Sequence, residues 1–235
     1  MTMPQSHIYL SRHSSQSGSA LVFILIGVAL FAALSFAISQ QGNSGKSLLD
    51  EKTNLLASDV MDMGNKMTET VAQLRLRGVQ IEQVSFQNDI VAGYTNAACT
   101  TDKCKIFAFD GGGRDWEKPS TDISNGVNWG YTGDLSINNV GTASADLIAI
   151  LPNISLVLCK RLNKMVGITD DPPQLSGVAA NQYIGTFAVA PINLSDSIIN
   201  GKTSACIELT TPSGTALTGI TASPIYAYYQ VLSVR

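Results

Sequence analysis

The strongest pattern in the chain is an unbroken apolar run close to its start. Residues 19–38 contain no charged side chain. A helix of this length is about 30 Å long, which is the thickness of the hydrocarbon core of a bilayer. A buried core helix is the alternative, but core helices of this length are rarely apolar on every face. The run therefore predicts a membrane-spanning helix.

A second helix is predicted over residues 46–83, where apolar side chains recur at helical spacing. Gly64 interrupts this stripe at a cost of about 1 kcal/mol relative to alanine. The stripe fits a helix laid across a sheet or a coiled-coil stalk, although a stalk would normally carry more charge beside it. Two sets repeat every seven residues: Leu49, Leu56 and Met63, and then Val60, Met67, Leu74 and Ile81.

From Phe86 onward, short apolar runs alternate with Gly, Asn, Asp and Pro, which is typical of strands and turns. The run 146–151 is ambiguous between strand and helix. The predicted strands are residues 105–109, 135–140, 183–190, 205–210 and 225–234.

One more helix is predicted after Pro152, with Asn153 as its N-cap and Gly167 as its C-terminal stop. Its basic side chains suit the negative end of the helix dipole, and a solvated face is a simpler interpretation than a contact patch. The apolar face consists of Ile154, Val157, Leu158, Leu162 and Met165, and the polar face of Lys160, Arg161, Asn163 and Lys164.

These elements predict an α+β fold. We expect an N-terminal transmembrane helix, an amphipathic helical extension, and a C-terminal head with an antiparallel sheet and one embedded helix.

Composition excludes several function classes. The net charge is −3, so a basic nucleic-acid-binding protein is not expected. The two histidines, His7 and His13, both precede the apolar run. A Ser-His-Asp triad, a Cys-His pair and a His-based zinc site are therefore excluded from the part that follows. No nucleophile motif is present either, so the sequence predicts a protein that is not an enzyme and needs no cofactor.

The four cysteines all follow the apolar run, and an even number there is typical of disulfides in an oxidising compartment. We therefore place the N-terminus in the cytoplasm and residues 39–235 outside. Three pairings exist. We favour Cys99 with Cys104, whose connecting loop is short, which leaves Cys159 with Cys206. The longer loop would stabilise the fold by roughly 4 kcal/mol in the chain-entropy model.

Two loops could offer oxygen atoms to calcium. One contains Asp110 and Asp115 around three glycines, and the other contains Asp170 and Asp171. The first lacks the remaining ligands of a calcium loop and the ending of a phosphate-binding loop. Flexible or exposed turns are the simpler interpretation of both.

The start of the apolar run suggests a family. The segment Gln16-Ser17-Gly18-Ser19-Ala20-Leu21-Val22-Phe23 follows a short polar leader and opens the uncharged helix. It resembles the prepilin leader of type IV pilins and type II secretion pseudopilins. The resemblance implies that a prepilin peptidase cuts after Gly18 and that Ser19 becomes a methylated N-terminus. It also implies a membrane and assembly helix that includes Phe23, Ile24, Gly27 and Phe31.

The resemblance departs at the fifth mature position, where the major subunits of the family carry glutamate and this chain has Phe23. Minor pseudopilins of the K type also lack that glutamate and sit at a filament tip. A tip subunit has no neighbour above it whose N-terminal amine would need the carboxylate. A minor or tip subunit is therefore expected.

The expected organisation has four segments: a cytoplasmic leader (1–18), a transmembrane and assembly helix (19–41), an amphipathic helix packed on the head (42–85), and a disulfide-containing extracytoplasmic head (86–235). The expected partners are the bacterial inner membrane, the prepilin peptidase and other pilin-like subunits, with a surface or periplasmic filament after assembly. Two alternatives stay open. One is a bitopic envelope binding protein or adhesin that does not polymerise. The other is a secreted enzyme released by a signal cleavage near Ser39.

Overall fold

The computed structural model describes residues 18–40, 44–220 and 223–235. The chain divides into two units, Met1–Leu49 and Asp50–Arg235. The first contains helix α1 (Gly18–Gln40), and helix α2 (Ser44–Leu76) begins there and continues into the second. Residues 1–17, which form nearly all of the expected leader, lie outside the described residues.

The second unit combines helices with a sheet of six strands, so the chain is an α+β protein, as the sequence predicts. The spatial order of the strands is β3-β5-β6-β2-β1-β4. Besides α2, this unit contains the single-turn helix α3 (Thr121–Ser124) and the longer helix α4 (Leu156–Met165). The strands are β1 (Gly130–Ile137), β2 (Asp146–Ile154), β3 (Gln174–Leu175), β4 (Ile192–Leu194), β5 (Ser204–Leu209) and β6 (Ile225–Ser233).

The four central strands are antiparallel to one another: β5 to β6, β6 to β2, and β2 to β1. The two short edge strands run differently, because β4 is parallel to β1 and β3 is parallel to β5. The expected antiparallel sheet is therefore correct for the centre and wrong for both edges.

The central strand β2 is apolar on both faces. Leu147, Ala149 and Leu151 face the core that also contains α2 and α4. Ile148 and Ile150 face a second core, which is closed mainly by the loops of residues 166–220. Side chains alternate along a strand, so a run without polar residues requires cover on both faces. The ambiguous run 146–151 is therefore part of a strand, and each of its six residues is fully buried.

Helix α2 lies on the first face of the sheet. The second predicted set is the buried side, with Val60, Met67 and Leu74 almost fully enclosed together with Ala57 and Val71. The first set is less buried: Leu56 and Met63 are partly buried, and Leu49 is 66% exposed. This arrangement rules out a free coiled-coil stalk for this part of the helix. The helix ends at Leu76, earlier than predicted, and Gly78 follows it with a φ of 90°.

Two predicted strands are wrong. Residues 105–109 form a turn, in which Gly112 N–H donates to the carbonyl of Lys105 and Gly113 N–H donates to that of Ala108. Residues 183–190 are irregular and attach to β1 by two separate backbone bonds, one of them from Tyr183 N–H to the carbonyl of Tyr131. Both runs are apolar because they are packed against the sheet, not because they belong to it.

The embedded helix α4 begins two residues later than predicted. The strand β2 continues to Ile154, and Ser155 is the N-cap, with its Oγ accepting from Leu158 N–H at 3.2 Å. Asn153 instead has a φ of 59° near the end of the strand. Gly167 ends the helix as predicted, since Gly167 N–H reaches the carbonyl of Lys164 and Ile168 N–H reaches that of Asn163.

The sequence also misplaces Asn163, which is fully buried and not on the polar face of α4. Its Nδ2 donates to the carbonyl of Cys206 at 2.9 Å, and its Oδ1 accepts from Cys206 N–H at 2.7 Å. Strand β3 pairs with β5 only opposite Glu208 and Leu209. The Asn163 amide therefore takes the place of a neighbouring strand at Cys206.

Replacing Gly64 by leucine should destabilise the head. A Cβ at Gly64 would lie 3.3 Å from Cγ of Gln230 on β6, so a larger side chain must push α2 off the sheet. We expect a loss of about 1–3 kcal/mol in the free energy of unfolding, the usual cost of overpacking. Denaturant unfolding measures it. The matched control is Asn65→Leu at the exposed neighbouring position, and equal losses in both variants would contradict the packing argument.

Replacing Asn163 by leucine should also destabilise the head, because two buried backbone groups of Cys206 lose their partners. Each unsatisfied group costs about 1–3 kcal/mol, so we expect a total loss of about 2–6 kcal/mol for the two groups. Thermal or denaturant unfolding checks this. The exposed neighbour Lys164→Leu serves as control, and an Asn163→Leu protein as stable as the parent would show that the amide pair contributes nothing.

Candidate functional site

Helix α1 exposes apolar side chains along its whole described length. Its segment Leu21–Ile38 has a mean hydropathy of 2.9, and none of it is buried. Phe23, Ile24 and Phe31 are 70%, 65% and 75% exposed. A Cβ added at Gly27 would meet no atom within 4 Å. Among the described residues, α1 is the one helix that is both long enough and apolar enough to cross a membrane. Such a helix near an N-terminus is a candidate membrane anchor or signal sequence.

The two expected processing residues, Gly18 and Ser19, form the first positions of α1. Whether the chain is cut there stays a prediction.

The head contains two disulfides, Cys99–Cys104 and Cys159–Cys206, which is the pairing favoured from the sequence. Their Cα atoms are 5.7 and 5.3 Å apart. The second bond joins α4 to β5 inside the core, and both of its cysteines are fully buried. Disulfides of this kind are typical of oxidising compartments.

The loop with three glycines is a tightly held turn, unlike the flexible turn that the sequence predicts. Arg77 Nη1 at the end of α2 donates to the carbonyl of Gly111 at 2.7 Å, and Arg114 Nε donates to Thr70 Oγ1 at 2.8 Å. A Cβ at Gly111 would collide with the backbone oxygens of Asp102 and Lys105. The glycines thus allow close approach of the backbone and fix the loop to α2.

This turn holds Phe109 at the surface with 95% of the residue exposed. Phe109 borders a groove of about 410 Å³, which we call the Phe109 groove. Phe107 and Trp116 line its inner side, with ring centroids 4.9 Å apart. Among the polar residues that line it are three carboxylates, Asp89, Asp102 and Asp115, and one amine, Lys105.

A second groove of about 460 Å³ lies between α2 and α4, and we call it the α4 groove. Its lining from α4 is basic and apolar, comprising Val157, Lys160, Arg161 and Lys164. Its lining from α2 consists of Asp50, Thr53 and Asn54.

Buried aromatic side chains hold the segment before the sheet in place. Phe86 stacks on Tyr131 of β1 with ring centroids 4.0 Å apart, and Tyr94 Oη accepts from Tyr131 N–H at 3.0 Å. Burial raises the pKa of Tyr94 to about 12 and raises the pKa of Tyr131 further. These hydroxyl groups therefore stay protonated at neutral pH and serve packing.

One carboxylate, Asp146, is buried at the start of β2. Its Oδ1 accepts from the backbone N–H of Arg235 at 2.9 Å, while Oδ2 is buried without a hydrogen-bond partner. Burial raises the pKa of Asp146, and the hydrogen bonds from Arg235 and Ile137 and the Arg235 charge oppose this effect. This residue ties the C-terminus to the sheet.

The loop aspartates do not converge. Asp171 forms an ion pair with Lys160 at 2.6 Å, and Asp110 and Asp115 line different grooves. In the part of the chain that the structure describes, no three His, Cys, Asp or Glu side chains are placed to hold a metal ion.

Sequence reasoning missed Phe109 and the groove beside it. The signal was the run of three glycines after an aromatic residue, which predicts a turn but not its close attachment to α2.

Comparison of the chain with protein-family models, with curated proteins and with solved structures gives no match.

The variant Asp146→Asn should remove a pH-dependent loss of stability. Since the folded-state pKa is raised, the carboxylic acid is favoured in the folded protein, and its contribution to stability is greatest below the unfolded pKa of about 3.9. That contribution is lost as the pH rises through the folded pKa. The difference in unfolding free energy, Asp146→Asn variant minus parent, should therefore increase from about pH 3 to about pH 7 in urea titrations. A difference that is independent of pH would contradict the assignment.

Proposed function

We propose that the chain is a structural subunit, minor or at the tip, of a type IV pilus or type II secretion-like filament. The observation that carries this proposal is the uncharged helix α1, whose apolar segment Leu21–Ile38 has no buried residue. An apolar surface of this extent needs a cover of lipid or of other apolar helices. The prepilin-like residues Gly18 and Ser19 at its start favour the pilin-like interpretation.

The proposed mechanism is coupled extraction and assembly. Helix α1 anchors the subunit in the inner membrane until neighbouring helices cover the same apolar side chains in a filament. Leaving lipid without such cover would expose the helix to water at roughly 25 cal/mol for each Å² of apolar surface. Extraction is therefore favourable only together with polymerisation.

The residue at the fifth mature position supports a minor or tip location. Phe23 is apolar and exposed, so it adds no buried charge to lipid. A subunit without a carboxylate here lacks the partner for a neighbour's N-terminal amine.

The head suits an extracytoplasmic position. It has two disulfides and its own core on both faces of the sheet. Helix α2 is continuous from Ser44 to Leu76 and contributes its stripe to that core. In this proposal the head remains folded while α1 changes its surroundings.

The test is the variant Gly18→Ala, expressed with a prepilin peptidase and compared with Gly27→Ala. Gly27 lies in the same helix, and a Cβ there meets no atom within 4 Å, so its variant controls for the loss of a glycine. Intact mass and N-terminal sequencing should give a methylated Ser19 for the parent and Gly27→Ala, and an uncut leader for Gly18→Ala.

A parent protein that starts at Met1 would overturn the proposal and leave a bitopic envelope protein. A soluble product that starts at Gln40 would overturn it in favour of a secreted protein. Co-purification of the processed chain with other pilin-like subunits would separate a filament subunit from an adhesin that does not polymerise.

A further inference from the structure

We infer that the Phe109 groove of one copy receives the basic face of α4 from a second copy, giving a directional contact between heads. The inference rests on the proposed function for its setting in a filament, but both surfaces belong to the head and do not depend on processing at Gly18. It names residues and a partner that the proposed function leaves open.

The accepting surface is rigid, apolar and acidic. The loop that carries Phe109 is held by the bonds from Arg77 and Arg114. Ile90, which also lines the groove, is 64% exposed. Of the three carboxylates in the lining, Asp102 pairs with Lys105 at 2.8 Å. Within the described residues Asp89 and Asp115 form no ion pair. Rigid aromatic side chains beside a groove are frequent anchors of protein interfaces, since little conformational freedom is lost on binding.

The inserting surface is apolar and basic. Val157 is 65% exposed on α4. Lys164 lies two turns further along the same side of the helix and forms no ion pair among the residues described. Lys160 is exposed and shares its charge with Asp171.

The two surfaces complement each other in chemistry and are separated in space. Asn54 of α2 lines the α4 groove, whereas Thr70 of α2 holds the loop of the Phe109 groove. The roughly 16 residues between them span about 24 Å of helix. An acidic side chain of one surface therefore cannot reach a basic side chain of the other within a single copy, and their pairing requires a second one.

Such a contact is heterologous, because different surfaces of the two copies meet, and it leaves one free surface at each end. A contact of this kind propagates in one direction.

The test is carbodiimide cross-linking, which joins a carboxylate directly to a neighbouring lysine amine. Full-length chain, half of it ¹⁵N-labelled, is mixed in detergent micelles, cross-linked and digested. We expect mixed-isotope peptides that join Asp89 or Asp115 to Lys160 or Lys164. The variants Asp115→Lys and Lys164→Glu should each reduce the yield about tenfold, and mixing the two variants should restore a link between positions 115 and 164.

The matched controls are Glu69→Lys and Lys118→Glu, which reverse exposed charges outside both grooves and should leave the yield unchanged. The inference is overturned if the links are confined to one isotope, if reversal at 115 or 164 has no effect, or if the control reversals reduce the yield equally. The Gly18→Ala chain should still cross-link. Loss of processing and loss of the head contact are thus observed separately.

Discussion

The packing of α2 against the sheet is the interaction on which the rest of the head depends. The helix buries Ala57, Val60, Met67, Val71 and Leu74 on the face formed by β2 and β6. The backbone comes close to β6 at Gly64, where a Cβ would lie only 3.3 Å from Cγ of Gln230. Burial of this apolar stripe provides the stability that a 33-residue helix with many polar residues lacks in isolation.

The same helix fixes the positions of both candidate surfaces. Thr70 in its C-terminal part and Arg77, the first residue after it, bind the glycine loop. Its N-terminal part forms one wall of the α4 groove. Because a helix in a packed core is stiff, the separation of these surfaces is set by the number of residues between them. Neither surface could be displaced without disturbing the core.

Local periodicity explains which elements could be predicted from the sequence. The uncharged run of α1, the heptad stripe of α2 and the alternating strand β6 each carry their own signal. Residues 105–109 and 183–190 carry the same apolar signal, yet their burial comes from packing of side chains such as Tyr183 against the sheet. Asn153 and Ser155 are equally good N-caps by type, and the pairing of Ile154 with Tyr226 decides between them. The grooves could not be predicted, since they depend on contacts between distant segments.

The two units satisfy the requirement for apolar burial in different ways. The head encloses its own core on both faces of the sheet and adds two disulfides, whereas no residue of the apolar segment of α1 is buried. In the proposed assembly, the drive to associate therefore resides in α1, and it is non-directional because it depends on area alone. Orientation must come from elsewhere. Charged and aromatic groups fix orientation between partners more than they add affinity, and the two grooves of the head present such groups at its surface.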